Sequence, residues 1–112
     1  MAAPIIYPRS ESGLSADCDS YRFGELGPIT AITIHHSAGP RATNKARAQE
    51  LHRAFQRQHI AQGWGDIGYH FAVDDHGRIY RLRPLGAKGA HVGGHNTGNV
   101  GIMFHGNFEL HR

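Results

Sequence analysis

The hydrophobic period along this chain changes from two residues to about 3.6 and back to two, and that order of periods limits the fold more than any other feature. Thr30-Ala-Ile-Thr-Ile-His-His36 sets Ile32, Ile34 and His36 against Thr33 and His35 and is rich in β-branched residues, which predicts a strand. The strand stops at Ser37-Ala-Gly-Pro40. Thr43 or Asn44 can cap a helix running to about Gln62, with Ala48, Leu51, Phe55 and His59 along one face and Gly63 at its end. Residues 68–74 alternate Tyr69, Phe71 and Val73 against His70 and Ala72, turn at Asp74-Asp-His-Gly77 and return over residues 78–82, which is the pattern of a β-hairpin. A long glycine-rich loop over residues 84–99 precedes a last strand at 100–104. Strand, helix, hairpin, loop and strand in that order predict an α/β or α+β domain with a mixed central β-sheet and helix on its face. Residues 1–28 carry prolines and glycines without sustained periodicity and read as an irregular N-terminal arm, leaving 29–112 as the domain proper.

Composition narrows the class of function. A chain of 112 residues, 39% hydrophobic and 19% charged, has the balance of one folded domain. Nowhere do the roughly 20 consecutive apolar residues of a membrane span occur. Met1-Ala-Ala-Pro4 opens without the basic region and apolar core of a signal peptide, so synthesis without a secretory leader is expected. Twelve basic and nine acidic residues leave a formal charge of +3, and the arginines form no run of the kind that marks a nucleic-acid partner. The lone Cys18 excludes an internal disulfide and an all-cysteine zinc site. Ten histidines and fifteen glycines stand out. Histidine is the commonest metal ligand and titrates near neutrality, so metal binding or acid–base chemistry is expected, while glycine marks sharp turns or close backbone approach.

Three segments concentrate that chemistry. His35-His36 ends the first strand, where neighbouring side chains point to opposite faces, so only one of the pair can serve a given site. Gly63-Trp-Gly-Asp-Ile-Gly-Tyr69 follows the helix: Trp64 can lie over a groove, Asp66 can pin the turn, and the Tyr69 hydroxyl can donate to a developing oxyanion. The alternative for Trp64 and Tyr69 is ordinary core packing. In residues 89–102, His91, His95, Asn96 and Asn99 sit among glycines that let a ligand backbone approach, and amide side chains read peptide groups well. The alternative there is a glycine-rich connector with incidental polar residues.

These segments in this order resemble the zinc amidases of the N-acetylmuramoyl-L-alanine type, a family that includes phage amidase lysozymes and the peptidoglycan recognition proteins. The matching stretches are ITIHHSAG at 32–39, HIAQGWGDIGYHFAVDDHGRIY at 59–80 and GAHVGGHNTGNVGIMFHGNF at 89–108. The resemblance implies Zn²⁺ as cofactor with His35 as its first ligand. It implies that Tyr69 positions the zinc-bound water or stabilises the oxyanion, and that Trp64, His91, Asn96 and Asn99 contact the muramyl peptide. The implied reaction is attack of a zinc-activated water on the amide joining N-acetylmuramic acid to L-alanine of peptidoglycan. An antibacterial, endolysin-like role at the cell wall goes with it.

The resemblance also implies a departure. Family members continue past the Gly-Asn-Phe strand with a further helix and a segment holding a second histidine and a third ligand, whereas here residues 109–112 follow directly. The expected fold therefore lacks the last helix and the metal-ligand segment, His111 is too near the strand to align with the second ligand, His105 faces a side the sequence does not set and neither is expected as a ligand, and a second chain is one way to complete the domain. Three readings stay open: an incomplete amidase domain of a peptidoglycan hydrolase, a non-catalytic muramyl-peptide-binding module, and an unrelated metal-binding or structural domain.

Overall fold

A computed structural model describes residues 4–108. It contains five strands, β1 (Ile6–Tyr7), β2 (Ala31–His36), β3 (Phe71–Val73), β4 (Ile79–Arg81) and β5 (Asn99–Phe104), and one α-helix, α1 (Lys45–Ala61). The strands form a single sheet in the order β1-β4-β3-β5-β2. Only the β3–β4 hairpin is antiparallel; β1 with β4, β3 with β5 and β5 with β2 run parallel. The expected mixed sheet with a helix on one face is present. Among the described residues α1 is the sole α-helix, and no helix is long and apolar enough to cross a membrane.

Local chemistry explains the helix ends. The Asn44 side chain accepts from the Arg47 backbone N–H, closing one of the open donors of the first turn, and Gln62 caps the far end before Gly63 turns with φ of 90°. The buried side of α1 is Ala48, Leu51, His52 and Gln56. The expected stripe is thus corrected: Phe55 and His59 are half-buried at its margin, and two polar residues occupy the inner positions.

The core lies between α1 and one sheet face, where Ala48 and Leu51 pack with Ala72, Tyr80, Met103, Ile67 and Leu82. Register places Ile32, Ile34, Ile102, Phe104, Phe71 and Val73 on the opposite face, in line across β2, β5 and β3. There Ile32 and Ile34 are 61% and 59% exposed.

The N-terminal segment is less irregular than its sequence suggests. β1 forms one sheet edge beside β4, Arg9–Glu11 make a 3-10 turn, and Leu26 and Ser12 are buried. A two-residue strand carries no periodicity of its own and exists because β4 offers it a free edge.

Candidate functional site

Tyr69 and Trp64 are presented by the turn between α1 and β3, and that turn is pinned from below. Asp66 is fully buried. Its carboxylate accepts from the Ile67 N–H, Gln56 Nε2 and Ser20 Oγ and pairs with Arg9 Nη1 at 2.8 Å. Arg83, also buried, donates to the carbonyls of Ser20, Trp64, Asp66 and Ile67. Five donors in a rigid fork suit a turn that aims three of its carbonyls, those of Trp64, Asp66 and Ile67, at one side chain. His59, from the last turn of α1, completes the support: its Nδ1 accepts from the Gly68 N–H, and its ring lies 4.6 Å from Trp64 and 5.9 Å from Tyr69. Burial foremost, then the Arg83 charge, takes its pKa down to about 4, so it is a neutral group.

Across from this turn, residues 88–97 form the rim of an open groove of about 540 Å³, lined by Phe23, Trp64, Tyr69, Lys88, His91 and Asn96 together with Gly93-Gly94. That volume is of the size that receives a small ligand. The rim is ordered by Asn96, a lining residue whose Oδ1 accepts from the backbone N–H of both His91 and Val92. Gly68 and Ala90 join the two walls through the Ala90 N–H to the Gly68 carbonyl at 3.1 Å.

His35, on β2, packs against two residues that line this groove, Tyr69 and His91. Its ring centroid is 5.3 Å from Tyr69 and 5.1 Å from His91, and its Nε2 lies 2.9 Å from His91 Nδ1. Burial lowers the pKa of His35, helped by the neighbouring His91, and burial also lowers that of His91. Tyr69 moves the other way, because burial disfavours the phenolate, and so it is a proton donor at neutral pH. His36 points to the opposite face and contacts Phe108, as the strand alternation requires.

The structure therefore brings together His35, Tyr69, Trp64, His91 and Asn96. Asn99 departs from expectation. It is only 6% exposed, its Oδ1 accepts from Thr33 Oγ1, its Nδ2 donates to the His95 carbonyl, and its own carbonyl meets His91 Nε2 at 2.8 Å. It braces the site from behind and does not line the groove. Sequence reading also passed over Arg83, Lys88, His59 and Phe23. A buried arginine is indistinguishable by type from a surface one, and Phe23 reaches the groove only because the N-terminal segment folds back.

A family model described as N-acetylmuramoyl-L-alanine amidase matches residues 25–112. This chain belongs to that amidase family. The human N-acetylmuramoyl-L-alanine amidase is 34% identical over 111 residues, which is 96% of this chain and 19% of that protein. The amidase-family fold is shared with bumblebee PGRP-SA, a peptidoglycan recognition protein, at a TM-score of 0.85 and 33% identity, covering 96% of this chain and 64% of that one. Human PGRP-IβC, solved in complex with a glycosamyl muramyl pentapeptide, gives a TM-score of 0.80 at 29% identity over 95% of this chain and 63% of that one. The chain spans less than two-thirds of each of these proteins.

The amidase family is generally zinc-dependent, and the donors present decide whether a three-ligand centre fits here. Beside His35 stand His91, with both ring nitrogens already in contact, and the Tyr69 phenol. Among the described residues no group of three His, Cys, Asp or Glu side chains is placed to hold a metal. Cys18 is engaged elsewhere, with Arg9 and Ser20. His105 is buried against His52, and His111 lies outside the described residues. A catalytic zinc site needs about three fixed protein ligands, so the described residues do not fit one.

Proposed function

We propose that the groove binds the muramyl stem peptide of peptidoglycan, and that the protein acts at the cell wall as an N-acetylmuramoyl-L-alanine amidase once ligands beyond the described residues, from further chain or a second chain, join His35. The observation that carries this reading is the convergence of Trp64, Tyr69, His91 and Asn96, from two separate stretches of chain, on one groove, with His35 packed against two of its lining residues, Tyr69 and His91. An aromatic wall, an amide donor and a backbone rich in glycine suit an extended sugar-peptide, and Lys88 supplies a cation for its carboxylates. In the hydrolytic reading the amide between N-acetylmuramic acid and L-alanine lies beside Tyr69, whose protonated phenol donates to the carbonyl oxygen as negative charge develops there.

A non-catalytic binding module is the second reading, favoured because no three His, Cys, Asp or Glu side chains among the described residues are placed to hold a metal. The two separate by experiment. Titration calorimetry with a muramyl pentapeptide is expected to show binding by the 112-residue chain, and Trp64→Ala to weaken it about tenfold or more, as for a central aromatic anchor. Unaltered affinity in Trp64→Ala would remove the groove assignment. Release of stem peptides from purified cell walls is expected to be absent for this chain alone; turnover by it would show that the donors present suffice.

A further inference from the structure

The contact between His35 and His91 has a direction, set by a third group that cannot donate. The Asn99 carbonyl lies 2.8 Å from His91 Nε2 and only accepts, so that nitrogen carries the proton. A neutral His91 then has a lone pair at Nδ1, and the 2.9 Å contact requires His35 Nε2 to be the donor. His35 is left with its own lone pair at Nδ1, a nitrogen with no hydrogen-bond partner among the described residues.

We propose that His91 is a positioning residue that fixes His35 in the Nε2–H tautomer and so determines which atom of His35, Nδ1, offers an electron pair. The seat of His91 is built for this. A Cβ at Gly101 would come within 2.7 to 2.8 Å of His91 Cγ, Cδ2 and Nδ1, and one at Gly89 within 3.0 Å of Cδ2. Gly101 pairs with Thr33 in the register that sets His35 beside Met103, so the two strands that hold His35 also form the floor under the ring that orients it. The Asn96 side chain ties the His91 backbone from the other side. For its functional consequence this rests on the groove reading above: a substrate proton or another electron-pair acceptor meets His35 at Nδ1.

Nitrogen-15 NMR of the labelled chain at neutral pH tests it without any turnover. Long-range proton–nitrogen correlations are expected to show Nε2–H for both rings, with a coupling across the hydrogen bond from His35 Nε2 to His91 Nδ1. Gly101→Ala, which alters neither histidine, is expected to remove that coupling and let His35 exchange between tautomers as a free imidazole does. His70 reports on the fold in the same spectrum: its Nδ1 accepts from the Gly101 N–H and its Nε2 donates to the Ala87 carbonyl, so it is expected to keep Nε2–H. Dominant Nδ1–H on His35 in the unaltered protein, or a coupling that survives in Gly101→Ala, would overturn the proposal. Should Gly101→Ala fail to fold, the unaltered protein's spectrum decides alone. Loss of muramyl-peptide binding with the tautomers intact would count against the groove reading only.

Discussion

His52 and His105 meet Nε2 to Nε2 at 2.8 Å inside the protein, and their protons can be assigned. The Ser12 carbonyl accepts from His52 Nδ1, so His52 Nε2 accepts from His105 Nε2–H, and His105 Nδ1 is left as a buried acceptor without a partner among the described residues. An unsatisfied buried polar atom costs about 1–3 kcal/mol, and a second proton on either ring costs more. Burial accordingly takes His52 to about 3, with His105 repelling further charge, and takes His105 to about 4 although Asp74 and Asp75 pull upward. Both folded values lie below the unfolded value of 6.5, so the unfolded chain binds more protons in acid. The stabilisation is complete above the unfolded value and declines as pH falls through 6.5 toward about 3, the lower of the two folded values. Urea unfolding at a series of pH values is expected to show a falling midpoint over that window. The double variant His52→Leu with His105→Leu is expected to give a shallower decline, with the remainder due to His59, His70 and the groove pair, whose pKa values burial also lowers. An unchanged slope would place the proton uptake elsewhere.

At the scale of elements, the groove is a consequence of two walls that touch at one glycine. A Cβ on Gly68 would lie 2.1 Å from the Ala90 carbonyl oxygen and 3.0 Å from its carbon, both backbone atoms that cannot swing aside. Gly68→Ala is therefore expected to destabilise the fold by about 1–3 kcal/mol, the usual range for forced overpacking, and to weaken muramyl-peptide binding because the rim must move off the turn. Thermal unfolding and calorimetry check the two parts separately. Most of the regular elements were legible in the sequence. Strand alternation, the Asn44 cap and the turn after Asp74 are local signals, and β2, α1, the hairpin and β5 follow them to within a few residues. β1 was not legible, because its two residues are a strand only by pairing with β4. Nor was the inner face of α1, where His52 and Gln56 are buried only because His105 and Asp66 wait for them.

For the whole molecule, the asymmetry of the sheet matters most. One face is closed by α1, while the other presents Ile32 and Ile34 on edge strand β2, more than half exposed, with no proline or charged residue to blunt that edge. Such an edge is prone to self-association. Ile34→Thr is expected to lower light scattering at high protein concentration while changing stability by less than about 1 kcal/mol, as is usual for an exposed position. Scattering unaltered by the change would show that another surface governs solubility. The amino-acid order alone determined the succession of elements and the residue types available to a site, since periodicity, capping and turn chemistry act over a few neighbours. Which of those residues meet was decided by tertiary structure. Parallel pairing of β2 with β5 brings His35 to His91 across 56 positions and turns Asn99 from a rim residue into a brace, while Arg83, just past β4, sinks beneath the turn at Trp64. Contacts at such separations are set by the register of the sheet, which no short stretch of sequence contains.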